Sequence, residues 1–224
     1  PMMGEFAEAY QGVRMRVVEI VRSSGPAALD EVAPATPEWR VRDLLAHMIG
    51  VTADVVEGRL EGVASDAWTG AQVAARQDVG VDALLAEWDR YSPRFETTLG
   101  GVPFEISGQA MLDAATHEHD LRHALGMPGA RDSDAVALGW RWMVSVRTAA
   151  GAPALRYVTD AGVDVAGAGE PVATVEASRF ELVRAVTGRR TADEVSAYGW
   201  DPEPKVEMVV AGPLFTLRSE SLGE

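Results

Sequence analysis

Histidine is scarce in this chain, and the positions of its four histidines suggest metal chemistry. His47 stands apart, whereas His117, His119 and His123 lie together in the run HEHDLRH. In a helix, residues four positions apart lie about 40° apart around the axis, so Asp113 and His117 would share one face. His119 and His123 form a second such pair on roughly the opposite face. Only one of the two pairs can point into a folded core.

If His47 lies on a facing helix, it completes a three-ligand set with Asp113 and His117. Two imidazoles and one carboxylate leave coordination positions open for water or substrate, which suits catalytic zinc and also non-haem ferrous iron. Asp120 lies on nearly the same face as His117 and could orient that imidazole. The alternative is that His47 and His117 are hydrogen-bonded core histidines and that the other two are solvated. The spacing alone leaves both interpretations open.

Four amphipathic patterns predict helices that would carry these residues. Apolar residues recur in them at spacings of three and four, the period of an α-helix. The patterns cover residues 4–23, 39–55, 80–98 and 106–125. His47 belongs to the second pattern and the histidine cluster to the fourth, while residues 58–70 are predicted to form a loop. Mostly short connections between four such helices favour an antiparallel four-helix bundle.

The pattern changes near residue 128. The stretch GMPGARDSD is rich in turn-forming and charged residues, which is typical of a linker. Beyond it we predict a helix over 135–148, strands over 154–159, 163–166 and 172–175, a helix starting near 179, and a helix over 191–198. The prediction is therefore an α+β fold with two domains, a four-helix bundle over 1–128 and a small α+β domain over 129–224.

Composition excludes several classes of function. The chain of 224 residues has no cysteine, which excludes disulfides, thiolate-bound metal and a cysteine nucleophile, and agrees with a reducing cytoplasm. A net charge of −14 has the wrong sign for general binding to nucleic acid or an anionic membrane. No apolar run is long enough to predict a membrane span, and the first residues do not resemble a signal peptide. Phosphate-binding glycine loops and the G-x-S-x-G elbow of hydrolases are also absent.

Four segments, taken together, resemble the mycothiol-dependent maleylpyruvate isomerase family. They are PEWRVRDLLAHMIG (37–50), QVAARQDVGVDALLAEWD (72–89), DAATHEHDLRHALGMPG (113–129) and EASRFELVRAVTGRRTADEV (176–195). They occur in the family's order across nearly the whole chain. The resemblance implies a DinB-like four-helix metal-binding domain, followed by a small domain of the sterol-carrier-protein type.

The resemblance also implies ligands, cofactors and partners. The divalent metal, expected to be zinc, would be held by His47, Asp113 and His117, with aspartate in place of the more familiar glutamate at 113. Mycothiol would bind there as a thiolate and attack a small electrophilic substrate, in a maleylpyruvate isomerisation or a thiol transfer. Arg184 and Arg189 are the candidate contacts to an anionic substrate. We expect no nucleic-acid or membrane partner, and a monomer or homodimer.

Two other functions stay open from the sequence. The chain could bind a metal or small ligand without catalysis, or it could activate a metal-bound water for hydrolysis. The arginines near the end of the helix that starts at 179 also have an ordinary alternative, as an exposed basic helix end that complements the helix dipole.

Overall fold

The computed structural model describes residues 2–210 and 215–224. In this part of the chain the helices are α1 (Met2–Ser23), α2 (Pro26–Leu29), α3 (Val41–Glu57), α4 (Asp66–Ala74), α5 (Val81–Gly101), α6 (Phe104–Ala124), α7 (Asp134–Ala149), α8 (Arg179–Val186), α9 (Ala192–Ser196) and α10 (Val206–Val209). The strands are β1 (Pro153–Thr159), β2 (Gly162–Ala166), β3 (Ala168–Glu176) and β4 (Gly199–Asp201). The predicted α+β fold class is confirmed.

The four predicted long helices correspond to α1, α3, α5 and α6, but the prediction of a loop over 58–70 is wrong in its last part. There α4 begins, capped by Ser65, whose hydroxyl accepts a hydrogen bond from the backbone N–H of Trp68. The one buried residue of this helix is the polar Gln72, so the helix has no stripe of buried apolar residues. Apolar periodicity in the sequence therefore does not predict this helix.

The chain divides into two compact units, and α6 contributes to both. The first unit takes in the chain up to Ser107 together with His117–Gly129, and the second takes in Gly108–Thr116 together with the chain from Ala130 onward. The sequence-based assignment of two domains, with a boundary after residue 128, stays a prediction.

In the first unit, α5 packs against α1 and α3 around a buried polar network. The indole Nε1 of Trp88 donates a hydrogen bond of 2.8 Å to Tyr10 Oη, which lies 2.5 Å from Thr52 Oγ1. Each of these buried polar atoms has a partner, so the network specifies how α1, α3 and α5 pack without leaving an unsatisfied group.

The C-terminal half of α6 is held to α1 by a buried ion pair. The carboxylate of Glu118 is completely buried and accepts two hydrogen bonds from the Arg16 guanidinium, at 2.7 and 2.8 Å. Arg122, one turn further along α6, donates a third at 3.0 Å. This bidentate pairing orients the helix turn that also carries His117.

The second unit is built around a four-stranded sheet in the order β2-β1-β3-β4. Strand β1 pairs antiparallel with β2 and parallel with β3, and β3 pairs antiparallel with β4. Helix α7 packs against α8 and β2. It also approaches the first part of α6 closely, since a Cβ added at Gly139 would lie 3.1 Å from the Leu112 backbone.

None of the helices in residues 2–210 and 215–224 combines the length and apolar character needed to span a membrane.

Candidate metal centre

Helices α3 and α6 bring the three predicted ligands together. His47, Asp113 and His117 each offer one ligand atom, and these atoms lie within 4.8 Å of one another. His47 is buried in the middle of α3, while Asp113 and His117 are half-buried on successive turns of α6. The set combines two imidazoles with one carboxylate, which fits the donor preferences of zinc and of ferrous iron. Their role as ligands stays a prediction.

The start of α3 sets the position of His47 along the chain. The backbone N–H of Arg40 donates a 2.9 Å hydrogen bond to Asp43 Oδ2, and the Arg40 side chain makes two more bonds to the same carboxylate. Burial by itself would raise the pKa of Asp43, but these hydrogen bonds outweigh burial and lower it. A charged cap of this kind stabilises the first turn of the helix that carries His47.

The imidazoles of His47 and His117 pack edge to face, and both lie near the Trp39 indole. The ring centroids of His47 and His117 lie 4.8 Å apart at an interplanar angle of 85°. The Trp39 indole lies 5.3 Å from the His47 ring and 6.2 Å from the His117 ring. Sequence reasoning placed Trp39 only at the start of a helix and did not identify this contact. The indole is therefore an apolar neighbour of both imidazoles.

Each imidazole has a hydrogen-bond partner at Nδ1. His117 Nδ1 lies 3.2 Å from Asp120 Oδ2, the contact that the helical spacing predicts. His47 Nδ1 lies 2.8 Å from the side-chain oxygen Oε1 of Gln72, on α4. Partners of this kind orient the ring of a histidine that binds a metal. The contact with Gln72 was missed from the sequence because α4 was not predicted.

The other two histidines do not belong to the cluster that could hold a metal in the described part of the chain. His119 is 4% exposed, and His123 is half-buried. The alternative in which both are solvated is therefore wrong for His119.

The predicted anion contacts belong to the second unit, where Arg184 already has a carboxylate partner. Arg184 is completely buried, and its guanidinium donates hydrogen bonds to the two Glu224 oxygens at 2.5 and 2.9 Å and to the Thr116 carbonyl at 3.3 Å. Arg189 is half-buried and donates a 2.6 Å hydrogen bond to the Thr187 carbonyl. The alternative of an exposed basic helix end is wrong for Arg184. The role of either arginine in substrate binding stays a prediction.

Arg190, next in the chain, joins two acidic residues in the same cluster. It pairs with Glu181 at 2.7 Å and with Glu224 at 2.6 Å, and it is 4% exposed. Burial by itself would raise the pKa of both carboxyl groups, but their hydrogen bonds and charge interactions with the arginines lower it. The cluster is thus a set of buried ion pairs within the second unit.

These features define an α+β protein in which a His/Asp/His cluster lies on helices of the N-terminal part. Two solved structures share this fold, and both are of mycothiol-dependent maleylpyruvate isomerase. The crystal structure of the enzyme matches with a TM-score of 0.57 at 15% identity, over 90% of this chain and 95% of that one. A histidine-to-alanine mutant of it matches with a TM-score of 0.59 at the same identity and coverage. No family model and no curated protein sequence matches this chain. The relation established by these matches is one of fold.

Proposed function

We propose that this chain is a metal-dependent enzyme that uses mycothiol to attack a small electrophilic substrate. The observation that carries the proposal is the meeting of His47, Asp113 and His117 in a chain with the fold of a mycothiol-dependent isomerase. A divalent metal, which we expect to be zinc, would lower the pKa of a bound thiol and keep it as the nucleophilic thiolate. The absence of cysteine from the chain means that no thiol of its own competes for the metal.

The residues of the chain would prepare the site for this chemistry. His47 and His117 would present Nε2, since their Nδ1 atoms are engaged by Gln72 and Asp120. Asp113 would contribute the anionic ligand and offset part of the metal's charge. Trp39 lies against both imidazoles and would limit the access of water to them.

The reaction would be either a cis-trans isomerisation, as in maleylpyruvate isomerase, or a thiol transfer. Both need the same nucleophile and differ in whether the sulfur leaves the product. For an anionic substrate, we keep Arg184 and Arg189 as candidate contacts. Such a substrate would have to compete with Glu224 for the Arg184 guanidinium. We further propose a cytoplasmic location and a monomer or homodimer.

Metal analysis of the purified chain is the first test. We expect a divalent metal in stoichiometric amount, and its loss in the His117→Ala variant. His123→Ala is the matched control, because His123 lies on the same helix outside the cluster and should leave metal content unchanged. Absence of metal from the wild type, or equal metal in His117→Ala, would overturn the proposal.

A thiol-dependent assay is the second test. Turnover of maleylpyruvate or a model electrophile should require added mycothiol and exceed the rate with free mycothiol alone. Metal binding without such turnover would indicate a non-catalytic binding protein. Turnover of an ester or amide without added thiol would indicate metal-assisted hydrolysis. Either result would contradict the mycothiol proposal.

A further inference from the structure

We infer that Gln72 is a positioning residue that selects the tautomer of His47, and that Asp54 sets the direction of the Gln72 amide. The inference rests on the proposed metal site and adds to it two residues that do not touch the metal. On this inference, the role of α4 is to position Gln72, its single buried side chain.

The contacts form a chain that ends on a carboxylate. Gln72 Oε1 lies 2.8 Å from His47 Nδ1, and Gln72 Nε2 donates a 2.8 Å hydrogen bond to Asp54 Oδ2. The other oxygen of Asp54 accepts a 2.7 Å hydrogen bond from Arg59 Nε. Asp54 lies on the same helix as His47, and Gln72 reaches both from α4.

The direction of hydrogen bonding follows from what each group can donate. An amide has a donor end and an acceptor end, which exchange places when the group rotates by half a turn. An ionised carboxylate only accepts, so Asp54 must face the NH₂ end of Gln72. The amide oxygen then faces His47, whose Nδ1 must carry the proton. In a neutral imidazole this places the lone pair on Nε2, the nitrogen that would bind the proposed metal.

The packing around Gln72 holds this arrangement in place. Gln72 is 2% exposed, so rotation of its amide would turn the amide oxygen toward the Asp54 carboxylate, which cannot donate, in a place without access to water. A Cβ added at Gly50 would lie 2.5 Å from the Gln72 Cβ, so α4 can approach α3 at this point only because residue 50 is glycine. Arg76 donates a 3.1 Å hydrogen bond to the Gln72 carbonyl and pairs with Glu87 on α5 at 2.7 Å.

Nitrogen NMR of the imidazoles in the metal-free full chain tests the inference without any activity measurement. The spectra are recorded at about pH 8, above the usual pKa range of histidine. In the wild type we expect His47 to carry its proton on Nδ1. In Gln72→Met, which keeps the length of the side chain but removes the acceptor, we expect the Nε2–H form to appear. Asp54→Asn allows either amide direction, so a mixture is expected.

Zinc titration in the absence of thiol and substrate supplies the second readout. We expect Gln72→Met to lose about 10- to 100-fold in zinc affinity, the range typical of outer partners of metal ligands, and Asp54→Asn to lose less. Gln77→Met is the matched control, because Gln77 is exposed and should leave both tautomer and affinity unchanged. Circular dichroism checks that each variant is folded. If Gln72→Met does not fold, the more conservative Asp54→Asn still tests the inference.

The outcomes separate this inference from the proposed function. A wild type that binds neither zinc nor another divalent metal contradicts the proposed function, while the NMR experiment still reports the tautomer of His47. A wild type that binds zinc but has His47 protonated on Nε2 overturns the inference alone. The inference is also overturned if both Gln72→Met and Asp54→Asn match Gln77→Met in tautomer and affinity.

Discussion

Asp120 Oδ2 lies 3.2 Å from His117 Nδ1, within one turn of α6, and the carboxylate is completely buried. A carboxylate accepts and does not donate, so it favours the tautomer of His117 with the proton on Nδ1. Gln72 has the corresponding place beside His47, at 2.8 Å. If both histidines bind the proposed metal, these partners favour the same ring nitrogen, Nε2, as the ligand. The partner of His117 lies on its own helix, and the partner of His47 lies on α4.

Replacement of this carboxylate by an amide should weaken the proposed metal site. In Asp120→Asn we expect zinc affinity to fall about 10- to 100-fold, because the amide can present either end to His117 and no longer selects its tautomer. Titration with zinc alone measures the change. Asp132→Asn is the control, since Asp132 is exposed. Equal affinity in the two variants would show that Asp120 does not act through His117.

The charge of Asp113 should matter more than its length. Asp113→Asn preserves shape and removes the anionic ligand, so we expect zinc affinity to fall by about 100-fold or more, beyond the loss typical of an outer partner. Asp113→Glu keeps the charge and adds one methylene, and should retain binding within about tenfold. Metal content after dialysis and zinc titration provide the measurement. Stronger binding by Asp113→Asn than by Asp113→Glu would contradict the assignment.

Gly50 should be intolerant of a single added methyl group. A Cβ at this position would lie 2.5 Å from the Gln72 Cβ, so Gly50→Ala must displace α4. Overpacking of this kind costs about 1–3 kcal/mol in the free energy of unfolding, and zinc affinity should fall along with it. Gly70→Ala adds the same group on α4 where nothing lies within 4 Å. It should be neutral or slightly stabilising, since alanine favours a helix by about 0.5–1 kcal/mol.

The buried carboxylate of Glu118 should contribute strongly to the stability of the first unit. Glu118→Gln would leave Arg16 and Arg122 without their shared anion, at 2.7 and 3.0 Å in the wild type. Loss of one partner of a buried pair costs about 3–5 kcal/mol, and we expect the lower end because Arg16 is partly exposed. Urea unfolding measures the change. Glu8→Gln, at an exposed site on α1, should differ little from the wild type.

Acid should destabilise the second unit through Glu181. Burial would raise the pKa of this carboxyl, but hydrogen bonds and charge from Arg190 outweigh burial and lower it from the usual 4.5. A lowered folded-state pKa stabilises the fold above about pH 4.5, and the contribution is lost as the pH falls through the folded-state value. Glu181→Gln should therefore be less stable than the wild type at pH 7 and show a shallower loss of stability below about pH 4.5. Parallel slopes for the two proteins, in unfolding measured from pH 7 to pH 3, would contradict this.

Much of the fold and half of the site could be predicted from local patterns. Helices α1, α3, α5 and α6 each carry an apolar stripe of helical period, so their existence followed from the spacing of apolar residues. The shared face of Asp113 and His117, and the contact of His117 with Asp120, follow from helix geometry within one or two turns. None of these features requires knowledge of how distant segments pack.

The remaining features depend on contacts between segments far apart in the chain. Helix α4 carries no apolar stripe. Its one buried side chain, Gln72, contacts His47 and packs against Gly50, and both contacts are known only from the tertiary structure. The burial of Arg184 likewise depends on Glu224, which the sequence does not mark as its partner.

The sequence by itself determined which residue types share a helix face, because helical period is a short-range property of the backbone. Tertiary structure decided that His47 meets Asp113 and His117, that Gln72 contacts His47, and that Trp39 lies beside both imidazoles. The physical reason is that such meetings depend on side-chain packing between helices, and no local spacing encodes which distant side chains will fill the same space.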